Sequence, residues 1–153
     1  MEVLDSMEGR GLVPDNLTYN ILINGYCKVK KVDEAMHLFQ EMPRKGLEPT
    51  IVSYTTIMQG LFRVGRCATA QELFSEMQAK GQVPDIYTYF ILLDGLCKNG
   101  KISEAFSLFY MIENKGFDPY INIRFYNMLI DGLCKNGKLE TAQGLFNSLS
   151  SKG

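Results

Sequence analysis

Glycine returns along this chain at a fixed interval. Gly11, Gly46, Gly81, Gly116 and Gly153, each preceded by lysine or arginine, are 35, 35, 35 and 37 residues apart, and Gly25, Gly60, Gly95 and Gly132 step by 35, 35 and 37. Pro14, Pro49, Pro84 and Pro119 each follow the first series by three residues. Three markers on one period describe a row of like supersecondary units, none of which can bury its apolar surface alone. Counting from Asn16 gives repeats at 16–50, 51–85 and 86–122, the last with two extra residues at its end, then a fourth, truncated, at 123–153. Residues 1–15 read as the second half of a preceding repeat.

Each repeat reads as two helices. In the first, Tyr19, Leu22, Ile23 and Tyr26 fall at i, i+3, i+4 and i+7, and the same frame selects Tyr54, Ile57, Met58, Leu61, then Tyr89, Leu92, Leu93, Leu96, then Tyr126, Leu129, Ile130, Leu133. The second helix carries an alanine and a large aromatic inward: Val32, Ala35, Phe39, Met42 correspond to Cys67, Ala70, Phe74, Met77, to Ile102, Ala105, Phe109, Ile112 and to Leu139, Ala142, Phe146, Leu149. The alanines and the series Gly25, Gly60, Gly95 and Gly132 should allow close approach of paired helices. Gly65, Gly100 and Gly137 should close first helices and the Gly11 to Gly153 series second helices. Lys30 stands where the other repeats have glycine, which predicts a strained turn, and Pro43 should bend or shorten the last turn of its helix. The expected fold is all-α, an alpha-solenoid of stacked helix-turn-helix repeats with first helices on one surface and second helices on the other.

Composition adds limits. At 46% hydrophobic and 22% charged residues the chain is neither disordered nor collagen-like, and no run of about 18 apolar residues suggests a membrane span. A net charge of -1 argues against a protein that holds nucleic acid through its overall field, so any such binding must rest on where the charges sit. Residues 1–11 have neither an apolar core nor an Arg/Ser-rich amphipathic pattern, so no targeting peptide is read in this chain. Cys27, Cys67, Cys97 and Cys134 are too far apart for a CxxC motif and read as small buried hydrophobes. With His37 as the single histidine there is no metal-ligand pattern. No cofactor and no catalytic group are expected.

The segments Leu-Thr-Tyr-Asn-Ile-Leu-Ile-Asn-Gly-Tyr-Cys-Lys at 17–28, Tyr-Asn-Met-Leu-Ile-Asp-Gly-Leu-Cys-Lys-Asn-Gly at 126–137, Glu-Leu-Phe-Ser-Glu-Met at 72–77 and Lys-Gly-Gln-Val-Pro-Asp at 80–85 resemble the pentatricopeptide repeat family. The likeness is to its plain 35-residue class, and most of all to plant organellar proteins related to fertility restorers. It implies a right-handed superhelix that binds single-stranded RNA at about one base per repeat, in mitochondria or alternatively chloroplasts, in transcript processing or stability. It also implies that the fifth residue of a repeat and its last residue select a base. These are Asn20 with Thr50, Thr55 with Asp85 and Phe90 with Asn122 or Tyr120, while Asn127 and Asp15 lack their partners. Thr55 with Asp85 would favour guanine and Asn20 with Thr50 a pyrimidine; Phe90 can stack but not hydrogen-bond, so its site should be lax. The second residues Leu17, Val52, Tyr87 and Arg124 would wedge bases from their flat faces.

One observation stands apart from the resemblance. Lys28, Arg63, Lys98 and Lys135 recur in register near the ends of first helices, a stripe suited to phosphates, although cations there also complement helix C-termini. Asp15, Thr50 and Asp85 likewise suit helix capping. Two other readings stay open: a protein-binding scaffold of tetratricopeptide-like type, and an inactive truncated copy that self-associates through uncapped ends.

Overall fold

The computed structural model describes residues 2–152; Gly153, expected to close the last helix, lies outside them. Every regular element among the described residues is an α-helix. The chain is an alpha-solenoid of helical hairpins, and it forms two compact bundles that meet in sequence at Pro84 and Asp85.

The first bundle contains α1 (Glu2–Gly9), α2 (Asn16–Lys28), α3 (Val32–Arg44), α4 (Ile51–Arg63) and α5 (Cys67–Ala79). Hairpins α2–α3 and α4–α5 stack so that α2 and α3 both pack on α4. The expected faces are the buried ones: Tyr19 and Ile23 of α2, Tyr54, Ile57, Met58 and Leu61 of α4, and the sets Val32, Ala35, Phe39, Met42 and Cys67, Ala70, Phe74, Met77 of the second helices. Phe39 meets Tyr54 edge to face, with ring centroids 5.1 Å apart. The Tyr54 hydroxyl donates to Glu76 Oε2 at 3.2 Å, and burial first, then Glu76, push its pKa up to about 12.

Close approach of α2 and α4 depends on Gly60. A methyl group there would overlap Cys27 Sγ and stand 2.8 Å from Cys27 Cβ. Gly25, expected to do the same, is exposed with open space before it. The contact therefore runs in one direction, from the glycine of one first helix onto position Cys27 of the helix before it.

The hairpin turns follow the glycine pattern, with Gly65 at φ +80° and Gly100 at +72°. Lys30 adopts the same left-handed conformation at φ 62°, as a residue with a side chain. That conformation costs roughly 1–2 kcal/mol for an L-residue, partly offset by the unfolded-state entropy of a glycine. Lys30→Gly is expected to stabilise the first bundle by up to about 1 kcal/mol, read as a higher urea midpoint in circular dichroism. Pro43 departs from expectation: α3 runs on to Arg44 and has 13 residues, as many as α5. The proline sits one residue from the end on the exposed side, where little helix remains for it to interrupt.

The second bundle contains α6 (Ile86–Lys98), α7 (Ile102–Glu113), α8 (Pro119–Lys135) and α9 (Leu139–Lys152). Here α6 and α7 pack on α8, which also carries α9. Gly132 repeats the role of Gly60, since a methyl there would lie 2.6 and 2.7 Å from Cys97 Cβ and Sγ. Helix α8 has 17 residues against 13 in α6. The two extra residues, expected at the end of the third repeat, are instead absorbed into the start of α8, because Asp118 followed by Pro119 is a strong start signal. Asp118 caps by accepting the Tyr120 N–H at 2.8 Å, and proline at the first helical position gives up no hydrogen bond. The expected inner face of α9 is buried at Ala142 only. Leu139 is 65% and Phe146 52% exposed, because among the described residues the backbone contacts of α9 are with α8.

Candidate nucleic-acid interface

The first helices α2, α4 and α6 begin on N-caps that match the proposed base-selecting positions. Asp15 Oδ1 accepts the Thr18 N–H at 3.0 Å and the Thr18 hydroxyl at 2.9 Å. Asp85 Oδ1 does the same with Thr88 at 2.9 and 2.8 Å, and Thr50 Oγ1 accepts from Ser53 N at 3.4 Å. The N-cap N–H is returned to the Thr18, Ser53 or Thr88 hydroxyl, so each box is closed. The Thr18 N–H and then its hydroxyl hold the Asp15 carboxyl below the usual carboxylate range. These bonds use one oxygen of each aspartate. A carboxylate can accept several hydrogen bonds, so capping leaves capacity for another donor.

The fifth positions differ from one another. Asn20 is half-buried and its Oδ1 accepts from the Ser53 hydroxyl at 2.8 Å, while Ser53 Oγ accepts the Thr50 N–H at 3.1 Å. Ser53 thereby links Asn20 to Thr50, the two residues the sequence paired. Phe90 is half-buried, stacked on Phe125 with centroids 4.4 Å apart and planes 22° from parallel, and the Arg124 guanidinium lies 4.9 Å from its ring centre. Asn127 is exposed. Thr55 is only 3% exposed and donates to the Val52 carbonyl at 3.1 Å, so it is a poor candidate for direct contact with a base. A short side chain whose hydroxyl is satisfied by its own helix has little to offer outward.

Asn122 is also displaced from its expected role. It lies inside α8, not at a cap, and its amide donates to the Phe117 carbonyl at 3.0 Å. Tyr120, on the added turn, is 83% exposed.

The second positions are open in both bundles. Leu17 and Val52 are 65% and 59% exposed in the first, and in the second Tyr87 is 56% exposed and Arg124 is exposed as well.

The cationic positions Lys28, Arg63, Lys98 and Lys135 are all exposed, but they are not equivalent. Lys98 pairs with Asp94 and Lys135 with Asp131, both at 2.9 Å across one helical turn. Lys28 and Arg63 have Asn24 and Gln59 at the corresponding places, and neither has a carboxylate within 4.0 Å among the described residues. The sequence carried this signal as Asp–Lys at i, i+4 in the second bundle alone; the reading of a uniform stripe overlooked it.

Cys27, Cys67 and Cys97 are buried, as expected of small hydrophobes, and Cys134 is exposed. The reason lies in the glycine contacts: Gly60 covers Cys27 and Gly132 covers Cys97, whereas among the described residues no glycine of a further first helix lies over Cys134. Burial, then Asp94 and Asp131, push the Cys97 thiol up to about 11, so it stays protonated and inert. His37 is exposed, and no group of three or more metal-ligating side chains occurs among the described residues.

The stacked hairpins and their capped first helices define a helical-repeat protein. Profiles of the PPR repeat family match residues 1–28, 14–63 and 49–98, and PPR repeat profiles match 87–117 and 120–150. The chain belongs to the PPR repeat family. A mitochondrial pentatricopeptide repeat-containing protein of Arabidopsis thaliana is 43% identical over 42 residues, 28% of this chain and 4% of that protein. The maize pentatricopeptide repeat protein PPR10 superposes with a TM-score of 0.80 at 29% identity, over 98% of this chain and 21% of PPR10. PPR10 in complex with an 18-nt psaJ RNA element gives 0.80 at 30% identity, over 99% of this chain and 22% of that one. The chain thus spans about a fifth of the solved relative and a far smaller share of the curated one.

Proposed function

We propose that this chain binds single-stranded RNA in a base-selective manner, at about one base per repeat and without catalysis, in plant organellar transcript processing or stability. Mitochondrial location is favoured by the relative that bears that designation. The observation that carries the reading is the exposure of the second positions. Within each bundle the first helices pack directly together, α2 on α4 and α6 on α8. Leu17 with Val52, and Tyr87 with Arg124, are then paired open side chains able to hold a base by its faces. Asn20, the capping Thr50 and Asp85, and exposed Asn127 supply the edge contacts. Phe90, with its ring covered by Phe125 and Arg124, makes the third site indifferent to base identity. PPR10, solved with bound RNA, supports the assignment.

Charge decides between this reading and a protein-binding scaffold. Each phosphate contact to a single strand contributes about 0.7 to the slope of log affinity against log salt. Lys28 and Arg63 are free to make such contacts, whereas Lys98 and Lys135 must first leave their aspartates. A salt titration with short RNAs should therefore give a shallow slope for the native chain. Asp94→Asn/Asp131→Asn should steepen it by up to about 1.4 and tighten binding by roughly threefold to fivefold at low salt, since each exposed pair is worth only about 0.3–0.5 kcal/mol. A native chain indifferent to salt and to base would instead be the scaffold.

A further inference from the structure

We propose that Ser53 is a specificity-determining, positioning residue. It holds the Asn20 amide with its oxygen inward and its NH2 group toward the open side, so that the first site offers the base a donor. The inference rests on the RNA-binding reading and assigns to that site the class of base edge it takes: one that brings an acceptor, such as a pyrimidine carbonyl, and not an amino group.

The argument is a count of hydrogens. Ser53 is 0% exposed, so its polar atoms must be satisfied inside the protein. Its oxygen accepts the Thr50 N–H at 3.1 Å, and its single hydroxyl hydrogen goes to Asn20 Oδ1 at 2.8 Å. Turning the amide over would place NH2 against that oxygen. The hydroxyl hydrogen would then have only Thr50 Oγ1, at 3.4 Å, as an alternative. An amide N–H bond to the second lone pair of that oxygen would replace the hydroxyl bond, but the buried hydroxyl hydrogen would keep only that marginal acceptor, so the inward oxygen is preferred. The Asn20 Nδ2 atom has no protein partner among the described residues, and the side chain is half-exposed.

The same register is used again in the second bundle with different chemistry. There Phe90, in the place of Asn20, meets Phe125, in the place of Ser53. The third residue of one repeat therefore touches the fifth residue of the repeat before it in each bundle. A polar pair fixes an edge, and an aromatic pair closes it off.

Ser53→Ala and Ser53→Thr test this against RNAs that differ only in the base facing the first repeat. The native chain should prefer uracil, whose edge carries two carbonyls, over adenine, which presents an amino group, by about fivefold or more, the effect of leaving one buried or half-buried polar group unpaired. Ser53→Ala should bring that preference below about twofold, and Ser53→Thr, which carries the hydroxyl found at Thr18 and Thr88, should restore it. Full preference in Ser53→Ala would overturn the proposal. In the free protein, the NMR signals of the Asn20 side-chain amide pair should lie away from random-coil shifts and move toward them in Ser53→Ala. An unchanged pair would overturn the proposal as well. A native chain that binds no RNA would sink the functional reading, while the amide signals would still decide the orientation.

Discussion

Phe125→Ala is expected to destabilise the second bundle by about 3–5 kcal/mol, the cost of emptying a large aromatic site in a packed interior. Phe125 is 1% exposed, stacks on Phe90 at 4.4 Å and lies 6.3 Å from Phe117 in a near-parallel arrangement. Its removal withdraws both the buried area and the preferred ring geometry, the latter worth about 0.5–1.5 kcal/mol per pair. The ring also sits at the junction of α6 with α8, so loosening it should release Phe90 and with it Arg124, whose guanidinium lies over the Phe90 ring. Urea unfolding followed by far-ultraviolet circular dichroism measures the effect, since the chain has no tryptophan to report on packing. A loss below about 1 kcal/mol would mean that this aromatic stack does not hold the bundle together.

Gly60→Ala should destabilise the first bundle by about 1–3 kcal/mol, although alanine is the better helix former by roughly 1 kcal/mol. The added methyl meets Cys27 at both Sγ and Cβ, so α2 and α4 must move apart and the packing of Ile57 and Leu61 moves with them. A double-mutant cycle isolates the cause. Cys27→Gly removes both obstructing atoms, and the pair Cys27→Gly/Gly60→Ala should recover more than 1 kcal/mol relative to the sum of the single changes. Additivity would show that the helices are not in contact at this point. Gly25→Ala serves as the control: Gly25 has nothing within 4 Å, so the same substitution should be neutral or slightly stabilising.

The contrast between Gly25 and Gly60 marks where sequence reading reached its limit. Both glycines belong to one series on the same helix register, and nothing local distinguishes them. What separates them is the helix packed against each: α4 lays Gly60 on Cys27, while Gly25 faces no such neighbour. The same holds for the cysteines, three buried and one exposed, and for Leu139 and Phe146, whose apolar pattern is as regular as that of their counterparts. The two-residue insertion shows a different limit. Periodicity located it, but the competition between extending a loop and extending α8 was decided by the Asp118–Pro119 start signal, of which the sequence reading used Pro119 alone, as a marker of the repeat.

The candidate site was legible to about the same depth. The open second positions and the N-caps of α2, α4 and α6 fell where the repeat frame put them, because both depend on distance along a single helix; α8 instead starts early, on Asp118. The hydrogen-bond path Asn20–Ser53–Thr50 was not foreseen, since it joins residues 33 positions apart through a side chain that the frame marked as ordinary. Nor was the burial of Thr55.

By itself the sequence determined the helices, their turns, their buried stripes and the repeat that stacks them, because each of these is fixed by interactions within a few residues along the chain. Only the tertiary structure decided which of the equivalent positions are covered and which amide end faces outward. Those properties belong to pairs of helices, and burial and hydrogen-bond geometry across such a pair depend on what the neighbouring hairpin presents.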